Sequence, residues 1–202
     1  MQKTVIALGF FDGIHIGHAA LLKRTVEAAW QIGATPAMMT FDTHPDELIG
    51  DKAVPLLTSP EERASLVREM FGIDNIIVLR FDENLKNMPW EDFIDWLIED
   101  FGAVRFVVGH DFRFGQRAEG DAEKLTAKIE EVRRTRDPRI GCDVIPAVTL
   151  NGVTVSSTQI RKLLLDGDLK SATDFLGHTH RLTDTVRFGY RLGRTIGAPT
   201  IN

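Results

Sequence analysis

The stretch "TVIALGFFDGIHIGH", residues 4–18, decides the fold of this chain. Its first five residues form a short, β-branched apolar run, which predicts a buried parallel strand. A turn that contains glycine follows, and from residue 16 the apolar residues recur with the three- and four-residue spacing of a helix. A strand, a glycine turn and a helix in this order are typical of the start of an α/β domain, whose ligands bind at the carboxyl ends of the strands.

Further short apolar runs alternate with amphipathic segments along the chain. Strands are predicted at 35–41, 75–81, 104–109 and 142–148, and helices at 16–32, 59–72, 89–102, 121–137, 157–168 and 168–177. Ser59, Pro60 and Gly72 are start and stop signals for the second of these helices. The alternation predicts an α/β domain with a five-stranded, mostly parallel sheet and helices on both faces.

Composition restricts the class of protein and its partners. The chain has 202 residues, of which 43% are hydrophobic and 26% charged, which is typical of a soluble globular protein with one main domain. Its net charge of −5 argues against nucleic acid or an anionic membrane as partner. Cys142 is the single cysteine, and the apolar run at the N-terminus is too short for a signal peptide. We therefore expect a cytoplasmic protein, of unspecified oligomeric state.

His15 and His18 form an H-x-G-H motif at the start of the first predicted helix. Their spacing puts both imidazoles on one face, and Gly17 between them leaves the backbone open to a close approach. The free N–H groups and positive dipole of the helix N-terminus complete a phosphate cradle. Elsewhere in a chain the same letters would better fit an incidental surface turn, but a position directly after the first strand favours phosphate binding.

The segment "VSSTQIRKLLLDGD", residues 155–168, predicts a second anion site. Ser156, Ser157 and Thr158 supply hydroxyls at a helix start, and Arg161 lies one turn further on the same face. Alone, the segment would fit a capped helix with an exposed arginine equally well. Together, the two cradles are suited to flank a triphosphate at the carboxyl edge of the sheet.

Two other interpretations of the histidines are weaker. The letters HIGH also occur in class I aminoacyl-tRNA synthetases, but this sequence has neither a KMSKS-like lysine loop nor a tRNA-binding domain. A zinc site could draw on His15, His18, His44 and His110, but no carboxylate stands at a familiar zinc spacing. We predict no protein-ligated metal, and Mg²⁺ held mainly by substrate phosphates.

The motifs "GFFDGIHIGH", "FDTHPDE" (41–47), "VGHDFRFGQRAEGD" (108–121) and "VSSTQIRKLLLDGD" together resemble those of the bacterial FAD synthetases. The resemblance covers residues 4–177 and is specific to the FMN adenylyltransferase module of the bifunctional riboflavin kinase/FAD synthetases. It implies a Rossmann-like nucleotidylyltransferase domain over residues 1–180. The implied reaction transfers AMP from ATP to FMN, with Mg²⁺, and yields FAD and pyrophosphate.

The resemblance also implies roles for individual residues. Those expected to act in catalysis are His15, His18 and Arg161, and those expected to bind ATP are Gly9, Phe11, Asp12, Gly17, Ser156, Ser157 and Thr158. Those expected at the flavin are His44, Asp46, Asp111, Phe112, Arg113 and Phe114. The alternation of Phe112 and Phe114 lets one ring stack on the flavin, although both could instead pack beneath a loop. Thr43 stands where the family usually has proline, in the turn before His44.

Residues 181–202 differ in composition from the preceding chain. The segment "GYRLGRTIGAPTIN", residues 189–202, resembles the opening of a riboflavin kinase β-barrel, in which Thr200 and Asn202 would contact nucleotide phosphate and Mg²⁺. A piece of this length cannot close a barrel, so we expect a linker and the start of a kinase domain without kinase activity.

Two alternatives to FAD synthesis remain at this point. A nucleotidylyltransferase for another phosphate, such as nicotinamide mononucleotide or phosphopantetheine, would share both cradles. A catalytically silent module that binds flavin or nucleotide and acts as a regulator would share the fold. Only the "DFRFG" segment and the kinase-like tail favour the flavin reaction over the first alternative.

Overall fold

A computed structural model describes residues 2–44 and 54–183. Its main sheet has five parallel strands, which span Thr4–Leu8 (β1), Thr35–Phe41 (β2), Asn75–Leu79 (β3), Ala103–Gly109 (β4) and Gly141–Ile145 (β7). Their order across the sheet is β3-β2-β1-β4-β7, and β5 and β6 form a separate hairpin described below. The predicted five-stranded α/β sheet is confirmed.

Helices follow the strands of the main sheet. They span Ile16–Ile32 (α1), Pro60–Phe71 (α2), Glu83–Lys86 (α3), Trp90–Phe101 (α4), Ala122–Thr135 (α5), Ser157–Leu165 (α6) and Leu169–Leu176 (α7). Helix α2 begins with a capping box in which the side chains of Ser59 and Glu62 each accept from the other's backbone N–H. Gly72 ends it in the left-handed conformation, as its sequence signals predict.

Alternate residues of β1 enter two separate cores, one on each face of the sheet. Val5 and Ala7 pack with Leu22 of α1 and Leu66 of α2. Ile6 and Leu8 pack on the opposite face in the core to which α4 and α5 contribute. All four of these β1 residues are almost completely buried, which is the pattern of a central parallel strand. The prediction of helices on both faces is confirmed.

A third, smaller core holds α6 and α7 against the rest of the domain. It contains Leu57, Val155, Ile160, Phe175 and Leu176. Since α6 carries the second predicted anion site, this core fixes that helix beside the turn that follows β1.

Several predicted boundaries were wrong, for local reasons. Strand β7 ends at Ile145 because Pro146 has no N–H for the ladder. Strand β3 ends at Leu79, and the backbone N–H of Phe81 donates instead to the Asp42 carboxylate at 3.0 Å.

Two small hairpins were missed by the sequence patterns. Arg113–Phe114 (β5) pairs with Gly120–Asp121 (β6), and Thr149–Leu150 (β8) pairs with Val153–Thr154 (β9). Two residues are too few to show an alternation of apolar and polar side chains. The first hairpin carries two of the predicted flavin residues, so its geometry bears directly on the site.

Across residues 2–44 and 54–183, none of the helices combines the length and apolar character required to cross a membrane. The kinase-like tail, with Thr200 and Asn202, lies outside the described residues, as does Asp46.

Candidate active site

The turn between β1 and α1 has an unusual backbone. Phe11, Gly13 and Ile14 have φ angles of 58°, 80° and 43°. Residues other than glycine adopt this left-handed backbone conformation only at a cost in free energy. The side chains of Phe11 and Ile14 are completely buried, and the Gly13 N–H donates to Thr58 Oγ1 at 3.0 Å. Packing on one side and this hydrogen bond on the other hold the turn in a single shape.

The two histidines stack on each other where the turn meets the helix. His15 is the N-cap of α1, and its Nδ1 accepts a hydrogen bond from the His18 N–H at 3.2 Å. The two imidazole rings are nearly parallel, at 12°, with centroids 3.6 Å apart, and the edge of the Phe11 ring supports His18 at 5.2 Å. A Cβ on Gly17 would lie 3.0 Å from Cε1 of His15, so the glycine leaves room for the stacked ring.

Both imidazoles are neutral at pH 7. Burial lowers the pKa of His15 to about 4. Burial, followed by the neighbouring imidazole and the Arg63 guanidinium, lowers the pKa of His18 well below its ordinary value. Because Nδ1 of His15 accepts a hydrogen bond, the hydrogen-bond pattern assigns the proton of this ring to Nε2. The pair can donate N–H groups to an anion, but it does not bring positive charge.

The second motif meets the first at Asp12. Ser157 donates its hydroxyl to the Asp12 carbonyl at 2.9 Å, and Nη2 of Arg161 donates to the Asp12 carboxylate at 2.5 Å. Nε of Arg161 donates to the Pro55 carbonyl, also at 2.5 Å. Ser156 caps α6 by accepting from the Gln159 N–H at 3.2 Å. Residues almost 150 positions apart in sequence are therefore in direct contact.

The Asp12 carboxylate is buried and fully engaged. In addition to Arg161, it accepts from the backbone N–H of Leu57 at 2.9 Å, and from the N–H and hydroxyl of Thr58 at 3.0 and 3.2 Å. Its 2% exposure leaves it almost no contact with solvent. Asp12 therefore holds the 57–58 loop, the first turn and α6 together.

A cavity of about 600 Å³ runs across the carboxyl ends of β1, β4 and β7. The predicted site residues in its wall are Gly9, Phe11, Asp12, His15, Gly17, His18, His44, Asp111, Phe112, Arg113, Ser156, Ser157, Thr158 and Arg161. Two helix N-termini, those of α1 and α6, open on this cavity. The structure thus brings together nearly all of the predicted residues that it describes.

A second cavity, of about 420 Å³, adjoins the first. We call it the aromatic cavity, because its wall is mainly apolar and rich in phenylalanine. Its wall includes Phe41, Phe81, Phe93, Phe112 and Phe114. Polar groups at its wall are those of Lys86, Asn87, Arg113 and Arg117. Leu8, Gly9, Phe112 and Arg113 line both cavities, so the two spaces share a wall.

Phe112 and Phe114 are both close to this aromatic cavity. Their rings are nearly parallel, at 16°, with centroids 5.1 Å apart. Phe114 is buried in the core against Phe93 and Trp90, whereas Phe112 is more open and lines both cavities. The arrangement leaves Phe112 as the ring better placed to face a ligand.

The remaining predicted flavin residues lie at different depths. Asp111 is largely exposed, with its carboxylate 3.9 Å from the His110 ring. Arg113 forms an ion pair with Asp121 at 3.1 Å across the β5–β6 hairpin. The His44 ring contacts the Phe10 ring edge to face at 4.5 Å. These contacts orient the side chains around the two cavities.

Sequence reasoning missed Arg63, Thr58 and Phe81. Arg63 is the largest side chain with no exposed surface, and Phe81 lines the aromatic cavity although it was assigned to a strand. A signal existed for Arg63, because it lies three and four residues before Leu66 and Val67 and therefore on the apolar stripe of α2.

Over the ranges 2–44 and 54–183, no three His, Cys, Asp or Glu side chains come together as a potential metal site. His15 and His18 are close to each other, but Asp12 in the same turn is already bound by Arg161 and the 57–58 loop.

A parallel sheet in this strand order, with two helix N-termini facing one cavity at its carboxyl edge, defines an α/β domain of the nucleotidylyltransferase type. A model of the FAD synthetase family matches residues 1–159, and the chain belongs to this family. That confirms the resemblance found in the motifs.

Curated relatives carry the name bifunctional riboflavin kinase/FMN adenylyltransferase. The relative from Listeria monocytogenes is 33% identical over 99% of this chain and 62% of its own length. The one from Escherichia coli K12 is 36% identical over 100% of this chain and 63% of its own length. The chain therefore spans a little over three fifths of the curated relatives that it matches.

A solved structure confirms the fold. It is titled a macrolide-efflux protein from Streptococcus pneumoniae, and it matches all of this chain and 64% of its own with a TM-score of 0.83 at 29% identity. The similarity extends over the same share of a longer chain as in the curated relatives.

Proposed function

We propose that this chain is an FMN adenylyltransferase that makes FAD. A phosphate oxygen of FMN attacks the α-phosphorus of ATP, and the bond from that phosphorus to the oxygen bridging the α- and β-phosphates breaks. The products are FAD and pyrophosphate. Membership of the FAD synthetase family supports this reaction, and so do the names of the relatives.

One observation carries the proposal, namely that the two cavities share a wall. The larger one has the polar, anion-binding character that a triphosphate requires. The smaller one has the apolar, aromatic character that a flat ring system requires. Because Gly9, Phe112 and Arg113 line both, a flavin in one and ATP in the other would place their phosphates next to each other.

The nucleophile is already an anion at neutral pH, so the reaction does not require a general base. The chain must align the two substrates and stabilise the charge that builds on the α-phosphate. His15 and His18 are suited to this as neutral donors held by stacking and by the N-cap hydrogen bond. The N-terminus of α6, with Thr158 and Arg161, is suited to the departing pyrophosphate.

For the flavin, we propose that Phe112 stacks on the ring system within the aromatic cavity. Arg113 lies at the shared wall, where its guanidinium can reach the FMN phosphate if the ion pair with Asp121 opens. Asp111 and His44 would border the same substrate on the side of the larger cavity.

Further parts of the proposal rest on the sequence. Mg²⁺ would enter with ATP, bound mainly by phosphate oxygens, and would neutralise part of their charge. Residues 1–180 would form the adenylyltransferase domain, with a linker and the start of a kinase domain at 181–202. We expect the reaction to take place in the cytoplasm, without nucleic acid or membrane partners.

The test is incubation of the protein with ATP, Mg²⁺ and one acceptor at a time, namely FMN, nicotinamide mononucleotide or phosphopantetheine. We expect pyrophosphate release and FAD, measured by chromatography and by the change in flavin fluorescence, with FMN alone. Release with another acceptor would overturn the choice of substrate. Binding of FMN and ATP without any pyrophosphate would identify a silent regulator instead.

A further inference from the structure

Arg63, on helix α2, is an arginine with no exposed surface. Its helix presents Leu66 and Val67 on the same stripe, and both are buried in the core beside β1. Arginine is among the side chains that are least often fully buried, and it is normally paired with an acid when it is. Arg63 lines neither cavity, so it is not placed there to touch a substrate.

The contacts of Arg63 are with neutral groups. Its Nη1 donates to Thr40 Oγ1 at 2.7 Å and to the Phe41 carbonyl at 3.2 Å, and its Nη2 donates to the Thr58 carbonyl at 3.4 Å. The guanidinium carbon lies 4.2 Å from the centre of the Phe10 ring. Its Nε is buried and has no hydrogen-bond partner within the described residues.

This guanidinium is a buried positive charge without a contacting counter-ion among residues 2–44 and 54–183. Burial lowers the pKa of Arg63 to about 10, so the side chain remains charged at neutral pH. Asp12 and Glu61 are near enough to oppose that decrease in pKa, but neither carboxylate contacts the guanidinium, and that of Asp12 is bound by Arg161. A buried charge without a contacting counter-ion is costly, and the field that it produces in a dry interior is poorly screened.

The field of Arg63 reaches the candidate active site. The guanidinium is one of the causes of the lowered pKa of His18. Since Arg63 lines neither cavity, its charge acts on His18 from within the protein and not from the cavity wall.

The hydrogen bonds of Arg63 also lead to that turn by two routes. The Thr40 hydroxyl, which accepts from Arg63, donates in turn to the Phe10 carbonyl at 2.7 Å. Thr58 accepts from the Gly13 N–H and donates to Asp12. One side chain thus supports the turn at both of its ends.

We infer that Arg63 is a positioning residue for nucleotidyl transfer, which holds the turn between β1 and α1 from within the protein and supplies a positive charge to the side of the larger cavity that His15 and His18 line. The inference rests on the proposed function. The two effects are separable, because the charge acts on the affinity for ATP and the two-pronged hydrogen bonding acts on the geometry of the turn.

The experiment uses three variants of the full chain. Arg63→Met removes the charge with an apolar side chain of similar length, and Arg63→Lys keeps the charge without the planar fork. Arg68→Met, at an exposed position on the same helix, is the matched control. The measurements are the Kd for ATP with Mg²⁺ by calorimetry, kcat and KM for FAD formation, thermal melting, and titration of the histidine ring signals by NMR.

We expect Arg63→Met to weaken ATP binding about tenfold and to raise the pKa of His18. Arg63→Lys should restore ATP binding and the His18 titration, but should leave kcat about tenfold or more below wild type, since misplacement of a catalytic group is costly in rate. Arg68→Met should resemble wild type in all four measurements.

Two results would overturn the inference. One is wild-type ATP affinity and an unchanged His18 titration in Arg63→Met. The other is a loss of activity in both Arg63 variants that matches the loss of folded protein in the melting curves. If wild type makes no FAD, the proposed function fails, but the ATP affinity and the His18 titration still decide the role of the charge.

Discussion

The two helix N-termini that open on the larger cavity differ in their chemistry. At α1 the cap is His15, whose ring stacks on His18 and is buried and neutral. At α6 the cap is Ser156, beside an exposed Thr158 and an Arg161 that is partly open to solvent. One is a dry and rigid group of N–H donors, and the other is a charged and wetter one.

This difference fits the two halves of the proposed reaction. Charge that appears only during bond formation is best stabilised by fixed dipoles that do not reorganise, as at α1. A pyrophosphate that must leave needs a site that binds it through charge and also remains open to water, as at α6. Asp12 joins the two N-termini, because it lies in the turn that leads into α1 and contacts Arg161 of α6.

The largest expected effect comes from removing the dry donor. His18→Ala should lower kcat by about 10²–10³-fold, as for loss of a donor aimed at developing charge. Steady-state formation of FAD measures this, with circular dichroism as the check on folding. Lys23→Ala, on the exposed side of the same helix, should keep wild-type kcat. A His18→Ala protein with near-normal turnover would remove this imidazole from the mechanism.

Breaking the connection between the two N-termini should affect activity and stability together. Asp12→Asn puts an NH₂ group among three N–H or O–H donors and leaves Arg161 without its counter-ion. The unfolding free energy in urea should fall by about 3 kcal/mol, and kcat/KM for ATP should fall at least tenfold. Asp74→Asn, at an exposed position, is the control. Wild-type stability in Asp12→Asn would contradict the joining role.

The neutral histidines predict a pH dependence of stability. The pKa of His15 is about 4 in the folded chain and near its ordinary 6.5 when unfolded, so the unfolded state binds more protons between these values. Stability should therefore fall as pH decreases, by about 2 kcal/mol from His15 alone between pH 7.5 and pH 5. His18 acts in the same direction.

Urea denaturation at the two pH values measures this slope. His15→Asn keeps a good N-cap, and it should reduce the difference in unfolding free energy between the two pH values by about 2 kcal/mol. Lys23→Ala, on the exposed side of the same helix, should leave the slope unchanged. An unaltered slope in His15→Asn would mean that burial of this imidazole does not cause the loss of stability at low pH.

The smallest expected effect concerns the cap of α6. Ser156→Ala removes the acceptor for the Gln159 N–H and should lower the unfolding free energy by about 1 kcal/mol. Thr158→Ala, two residues further on and exposed, should change it by less than about 0.5 kcal/mol. Equal losses in both variants would show that the cap hydrogen bond is not the source.

Much of this architecture could be predicted because it depends on local rules. Helix α1 begins and ends where its apolar spacing predicts, and the capping box at Ser59 follows from the residue types. The meeting of the two motifs was expected from strand topology, since parallel strands place their carboxyl ends at one edge. The contacts of Ser157 and Arg161 with Asp12 confirm that the motifs converge.

The rest depends on contacts between segments far apart in sequence. Phe81 looks like part of a strand, but the Asp42 carboxylate draws its N–H out of the ladder and the ring joins the aromatic cavity. The spacing of Arg63 with Leu66 and Val67 indicates that it faces the core, but its polar partners Thr40, Phe41 and Thr58 come from other segments. The contacts of neither side chain are encoded within the few residues on either side.

Gly17 shows that tolerance to substitution and contact with a ligand are different properties. Any side chain at this position would press against the His15 ring, with the first added carbon only 3.0 Å from it. Replacement would therefore disturb the imidazole pair even if residue 17 itself never touched a nucleotide. The minimal unit that an engineer could transplant to another scaffold is thus the whole H-x-G-H tetrad with its empty third position, and not the two histidines alone.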